Sequence, residues 1–267
     1  MVDRLKMQME RNPIMLFDAH IHLEKYTDDE IADMCADPAL IGMIAVSMDF
    51  ASSQRTLELK RRYPDKVYAA CGFHPEQPPQ APDELIAWIE THQREIDAIG
   101  EIGLPYYLRR KRIAEGSEWE EAPYLELLDQ WLQLASRLQK PVILHGVSED
   151  VRTILAHLDR HPLSRVHFHW LKTDSATLRQ LAEREIYVSF TPDLLYKEET
   201  RKIAATYPRH LIMLETDGPW PHEGPWRGQR THPLMIERTL RELAKLRGEE
   251  ASSLRQQIID NTWRFIG

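Results

Sequence analysis

Short apolar runs alternate along this chain with longer stretches in which apolar residues recur every three or four positions. The runs are Met15–Leu23, Ile41–Asp49, Val67–Pro75, Asp97–Pro105, Pro141–Val147, Arg165–Leu171, Ile186–Pro192 and Leu211–Pro219. They are short, rich in β-branched residues and nearly unbroken, as expected of parallel strands covered on both faces. Between them lie Thr27–Cys35, Ala51–Tyr63, Pro82–His92, Pro123–Gln139, Ser148–Arg160, Asp174–Ala182, Tyr196–Tyr207 and Leu234–Arg247, which read as helices. Asp83 or Pro82, Ser148 and Asp174 stand where helix N-caps belong. Strand–helix alternation implies right-handed crossovers and a parallel sheet. Eight such pairs predict an α/β fold closed into a slightly distorted (β/α)8 TIM barrel. A last helix over Ala251–Phe265 is expected to pack outside it. An open doubly wound sheet would carry a glycine-rich first turn, and His20-Ile21-His22-Leu23 is not one. The barrel is expected to form a single domain over residues 15–267, preceded by an N-terminal extension of residues 1–14.

Composition narrows the function. The 267 residues are 42% hydrophobic, ample for the core of one barrel. No run approaches the length of a membrane span, so no membrane partner is expected. The N-terminus is charged and lacks the apolar stretch of a secretory signal. The cysteines, Cys35 and Cys71, are too few for a disulfide framework or a zinc finger, so a reducing cytoplasm is the expected location. With 34 basic and 42 acidic residues the net charge is −8, which disfavours a broad basic surface for duplex nucleic acid. The sequence leaves the oligomeric state open.

The 12 histidines matter through their placement. In a TIM barrel, chemistry sits at the carboxyl ends of the strands. His20 and His22 close the first run, His74 the third, Glu101 the fourth, His145 the fifth and Asp217 the eighth, and His167 and His169 lie on the sixth. Glu101 or Asp217 buried without a partner would cost several kcal/mol, a cost that a cation at the barrel mouth would remove. His20 and His22 are two apart, so strand alternation turns both imidazoles to one face. Singly, each residue has an ordinary structural explanation as a core histidine, a cap or a turn former. Their coincidence on separate strand ends points to a metal centre, and the imidazole and carboxylate set suits zinc, manganese, iron or magnesium. His92, His157, His161 and His210 fall on or beside outer helices and read as solvated surface. The run Leu108–Arg112 reads as a charge-balanced loop after strand four, and Cys71 as a small buried hydrophobe.

Taken in order, FDAHIHL, GFHP, GEIGL, PVILH, HFHW, ETDGPW and the terminal NTWRFIG resemble the TatD family of metal-dependent hydrolases, within the amidohydrolase superfamily. The resemblance runs from about Met15 to Gly267 and leaves Met1–Pro13 outside. It implies a TIM barrel with a two-metal site. His20, His22 and Asp217 would bind one divalent ion, His145 and His169 the second, and Glu101 would bridge them. His167 shares the face of His169 and is the alternative ligand of strand six. Asp217 would act as general base on a metal-activated water. His74 would hold the scissile group and donate a hydrogen bond to the developing charge.

The chain departs from the family pattern at residues that would face substrate. Pro105 stands where Asp is usual, Val147 where an Arg two residues past His145 would contact phosphate, and Lys172-Thr173 in place of Ser-Gly. Arg230-Thr231-His232-Pro233 stands in for an Arg-Asn-x-Pro-like run. Metal binding and hydrolysis are therefore expected to persist while the substrate has room to differ. The family points to 3′-to-5′ exonucleolytic cleavage of single-stranded DNA. Tyr106, Tyr107, Trp170, Trp220 and Trp226, with Arg109–Arg112, Arg227 and Arg230 nearby, could form an aromatic and basic platform for a strand end. Tyr106, Trp170 and Arg230 are the expected substrate contacts besides His74. The alternatives are hydrolysis of a small ester, amide, lactone or phosphoester, and a barrel that binds metal or a partner without catalysis.

Overall fold

The computed structural model describes residues 14–267, so all but the last residue of the expected extension lies outside the described residues. Eight strands are hydrogen-bonded in chain order: β1 (Leu16–Ile21), β2 (Leu40–Ala45), β3 (Val67–Cys71), β4 (Ala98–Gly103), β5 (Val142–His145), β6 (Val166–Phe168), β7 (Tyr187–Phe190) and β8 (Ile212–Leu214). Every pairing between consecutive strands is parallel. The ring closes at its mouth, where Asp217 N donates to His20 O at 3.0 Å and His22 N to Gly218 O at 2.8 Å. These bonds lie just past β8, and register shifts in β1 and β4 add to the expected distortion.

The helices are α1 (Asp28–Ala36), α2 (Phe50–Arg62), α3 (Asp83–His92), α4 (Tyr106–Ala114), α5 (Ala122–Leu138), α6 (Asp150–Leu158), α7 (Ser175–Glu183), α8 (Glu198–Thr206), α9 (Met235–Arg247) and α10 (Ala251–Ile266). Helix α5 illustrates why they form. Leu127, Leu128, Trp131, Leu132, Leu134 and Ala135 recur at helical spacing and are buried. Each large side chain so buried contributes about 1.5–3 kcal/mol. Thr27 and Glu30 close a reciprocal capping box on α1, with Glu30 N to Thr27 Oγ1 at 3.3 Å and Thr27 N to Glu30 Oε2 at 2.8 Å. Asp174 caps α7 by accepting from the amides of Ala176 and Thr177 at 2.9 Å.

Three expectations about elements need correction. The segment after β4 is a helix, α4, and not a loop. It buries no residue, so no apolar period marks it, and it is held by polar contacts instead. Arg109 reaches Asp150 at 2.7 Å and Glu149 at 3.2 Å, both at the start of α6. Ser148 does not cap α6, which begins at Asp150; its backbone is left-handed (φ 54°) and its amide is spent on Lys172 O at 2.8 Å. His157 and His161 are not solvated surface. His157 is buried against Asp129 Oδ1 at 2.9 Å, and His161 meets the same oxygen at 3.1 Å.

Helix α10 does more than pack outside. A buried cluster gathers Phe17, Ile44, Ala70, Ala98, Ile143 and Met213 from six strands with Phe265 and Ile266 of α10. Residues of six strands meet only inside the barrel, so the last turn of α10 seals its floor. Asn261 fixes the helix there by donating to Arg209 O at 2.8 Å and Ile212 O at 2.6 Å. Cys35 and Cys71 are both buried and free. Among the described residues no helix is long and apolar enough to cross a membrane.

Candidate metal centre

Six side chains converge at the carboxyl end of the barrel. His20 lies on β1 and His22 just past it, Glu101 on β4, His145 at the end of β5, His169 just past β6 and Asp217 just past β8. Gly103 lets β4 approach β5 beneath them, since a Cβ there would stand 2.0 Å from His145 O. One oxygen of Glu101, Oε2, faces His20 Nε2 at 3.2 Å and His22 Nε2 at 3.4 Å. Asp217 Oδ1 lies 3.3 and 3.5 Å from the same two nitrogens. The other oxygen, Oε1, faces His169 Nε2 at 2.7 Å, His145 Nδ1 at 2.8 Å and His74 Nε2 at 3.3 Å. The carboxylate thus divides its oxygens between two sets of imidazoles. Asp217 and Trp170 both hold left-handed backbone (φ 51° and 39°), a conformation unfavourable for non-glycine residues and concentrated at functional sites.

The donor set fits metal ions. His20 Nδ1 and Nε2, His22 Nδ1, Glu101 Oε2, His169 Nδ1 and Asp217 Oδ1 are buried and make no hydrogen bond within the protein. Such atoms are costly to bury unless something else satisfies them. His20, His22 and Glu101 form one compact group of potential ligands, His20, His169 and Asp217 another, and His74, Glu101 and His145 a third. Electrostatics point the same way. Burial pushes the imidazoles toward neutrality, but the adjacent carboxylates of Asp217 and Glu101 hold His22 well above its ordinary range. For His169, the charge of Glu101 outweighs burial in the same direction. Burial also opposes ionisation of Glu101, yet the surrounding imidazoles, His169 foremost, hold it well below the ordinary carboxylate range. Two buried carboxylates here demand positive charge, which protons or divalent cations can supply.

Supporting groups orient this set. Glu76 Oε1 lies 3.2 Å from His145 Nε2 and accepts from Tyr107 N at 2.8 Å, while its Oε2 accepts from Leu108 N at 2.6 Å. With its Nε2–H donated to Glu76, His145 would present an Nδ1 lone pair to a bound ion. Glu215 accepts from Trp170 N at 2.7 Å, and the same oxygen lies 3.6 Å from His169 Nδ1. Asp18 accepts from Thr216 N at 3.0 Å and His20 N at 3.2 Å, tying the ends of β1 and β8 together. Burial pushes its carboxyl up to about 7. His74 Nδ1 accepts from Glu76 N at 3.1 Å, which leaves the proton of a neutral ring on Nε2, facing Glu101. Burial holds that ring below its ordinary range. His167 does not reach the centre. Its Nε2 is 2.6 Å from Ser189 Oγ in the barrel interior, and burial holds it well below the ordinary range.

Above the centre lies a cavity of about 490 Å³, within the range of small-ligand sites. His22, His74, Glu101, His145, His169 and Asp217 form its floor, and Met48, Glu76, Tyr107, Leu108, Lys111, Val147, Trp170, Lys172 and Trp220 are among its walls. Of the expected substrate contacts, His74 and Trp170 line it; Tyr106 and Arg230 do not. Arg230 instead lies against Glu30 at 3.0 Å and over the ring of Tyr26 at 4.8 Å. The Tyr106 hydroxyl accepts from Arg110 at 2.8 Å. Arg227 is paired with Glu223 at 2.7 Å. Glu76 and Glu215 were missed by sequence reasoning: each stands two positions from a site residue, His74 and Asp217, but beyond the end of its strand, where spacing does not fix the facing.

A parallel eight-stranded barrel with a buried histidine and carboxylate cluster at its carboxyl mouth defines a metal-dependent barrel hydrolase. Residues 17–267 match the model of a family described as TatD related DNase. A metal-dependent hydrolase of Haemophilus influenzae is 39% identical over 254 residues, covering 94% of this chain and 99% of that protein. The metal-dependent hydrolase YjjV of Escherichia coli is 30% identical over 263 residues, covering 93% of this chain and 96% of that protein. The crystal structure of YjjV, described as a TatD homologue, has a TM-score of 0.79 at 25% identity and covers 94% of this chain and 97% of that one. The chain belongs to the TatD family of metal-dependent hydrolases.

Proposed function

We propose that this hydrolase cleaves phosphodiesters, removing nucleotides from the 3′ end of single-stranded DNA. In this reading His20, His22 and Asp217 would hold one divalent ion, His145 and His169 would hold a second, and Glu101 would contribute to both. The observation that carries the two-ion reading is the division of the Glu101 oxygens between the two sets of imidazoles. When bound, the ions would supply Lewis acidity that acidifies water and withdraws charge from a phosphoryl oxygen. Asp217 accepts the proton of the attacking water. His74 donates its Nε2–H to the charge that develops on the phosphoryl group. Water then attacks phosphorus, the bond to the preceding 3′ oxygen breaks, that oxygen takes up the proton carried by Asp217, and a 5′-mononucleotide leaves. Support for DNA comes from the description of the matching family and from the aromatic and lysine residues of the cavity wall.

A second reading, hydrolysis of a small ester, amide, lactone or phosphoester, is favoured by Val147 and by the confined cavity. Elemental analysis of the wild type and of the His20→Ala/His22→Ala variant separates metal binding from its absence. A companion assay follows 5′-labelled single-stranded DNA with manganese or magnesium. Stepwise shortening from the 3′ end, lowered on the order of 10²–10⁴-fold by Asp217→Asn, is the expected result. Bound metal without shortening would overturn the nuclease reading and favour the small-molecule one. Equal metal content in the wild type and the variant would overturn the assigned ligands.

A further inference from the structure

Val147 leaves the end of β5 without a cationic contact for phosphate, but the neighbouring strand supplies one. Val147 and Lys172 form an isolated parallel bridge, and Ser148 N donates to Lys172 O at 2.8 Å. The two residues therefore stand side by side, beyond His145 and His169. Lys172 lines the cavity. Its Nζ donates to Tyr107 Oη at 3.3 Å and lies 4.4 Å from the centre of the Trp170 ring. That ring is itself fixed, with Trp170 Nε1 donating to Asp193 Oδ2 at 2.7 Å. The indole face is thereby occupied by the ammonium, which suits Trp170 to holding a cation in place rather than to stacking a base.

The other lysines around the mouth each have a carboxylate within 4.0 Å. Lys25 lies 3.8 Å from Glu24, Lys197 3.4 Å from Asp193 and Lys111 4.0 Å from Glu115. No such ion pair involves Lys172 among the described residues. An ammonium held by a phenol and an indole, and left uncompensated beside the metal centre, is built to receive an anion. Two of its three N–H donors remain for a ligand after the bond to Tyr107, and the Tyr107 hydroxyl keeps its own proton to donate.

We propose that Lys172 and Tyr107, with Trp170 as the wall that positions Lys172, form a subsite for a second phosphate, the one adjacent to the scissile phosphate in a single strand. The subsite gives the strand its grip one linkage back from the cut. The proposal rests on the nuclease reading above, and its test separates the two. The substrates are trithymidylate, which carries a neighbouring phosphodiester, and dithymidylate, which carries only the scissile one. The wild type should favour the trimer in kcat/KM, through KM, and Lys172→Met should shrink that preference on the order of tenfold, the size of one charge-assisted hydrogen bond. Lys172→Arg should keep most of it. The trimer's salt dependence should also become shallower in Lys172→Met. A preference that survives Lys172→Met, including an equal loss on both substrates, would overturn the subsite while leaving the nuclease reading intact. If the wild type cleaves neither substrate, calorimetric binding of trithymidylate decides: roughly tenfold weaker binding by Lys172→Met upholds the subsite without the nuclease, and equal or absent binding overturns it.

Discussion

Glu76 decides which nitrogen of His145 carries a proton. By taking Nε2–H it would leave the Nδ1 lone pair for a bound ion, at the position where Nδ1 lies 2.8 Å from Glu101 Oε1. Carboxylates that orient a metal-binding imidazole typically account for 10–100-fold in affinity. Glu76→Ala should therefore weaken binding of one ion by about that factor, and Glu76→Gln, which keeps an acceptor, by less. Titration of the metal-free protein against a competing chelator measures this, and an Ala variant with wild-type affinity for both ions would rule the role out. At this scale the sequence was informative wherever a polar side chain interrupted an apolar run, because burial of a charge needs a reason; His20, His22, Glu101, His145 and Asp217 were visible on that ground. Glu76 was not, since a carboxylate in a polar loop after His74-Pro75 looks solvated. Its partners, the first amides of α4 and the ring of His145, are distant in sequence. The same distance hid the exchange of Arg230 into a pair with Glu30.

Elements with an apolar face could be read from their period, and those without one could not. Helix α5 has such a face, whereas α4 rests on Glu76 at its start and on the Arg109 pairs to α6, so it looked like a charged loop. The boundary of α6 was misplaced because the amide of Ser148 joins the bridge to Lys172, a tertiary demand that overrides local capping preference. Helix α10 was visible as a helix, but its task at the floor depends on Asn261 meeting two carbonyls around the start of β8. Asn261→Ala strands those carbonyls in a buried setting and should lower stability by about 1–3 kcal/mol for each acceptor left unsatisfied. Urea unfolding followed by circular dichroism would detect the loss, and a midpoint equal to that of the wild type would show that water replaces the amide at no cost.

Across the whole molecule, strand–helix alternation made the barrel legible, and the barrel in turn made the site legible by naming the strand ends as its address. The seam was not legible, because the bonds joining it to β1 come from Asp217 and Gly218, beyond the end of β8. Since the proposed ligands come from both sides of that seam, an ion binding there holds the ring shut and stabilises only the folded chain. At a hundredfold excess over Kd each ion adds about 2.7 kcal/mol. For a chain of this size that corresponds to a rise in Tm on the order of 5–10 °C. Removing metal with a chelator should reverse the rise in the wild type and have little effect in His20→Ala/His22→Ala; equal chelator sensitivity in both would place the stabilising ion elsewhere. The split seam also orders events in time. His20 and His22 leave the ribosome early, while Asp217 follows only after all eight strands have been made. On the proposed ligand set, a nascent chain offers the cell a pair of histidines rather than a cage, and an ion at that site would be securely held only when synthesis has brought the two ends of the ring together.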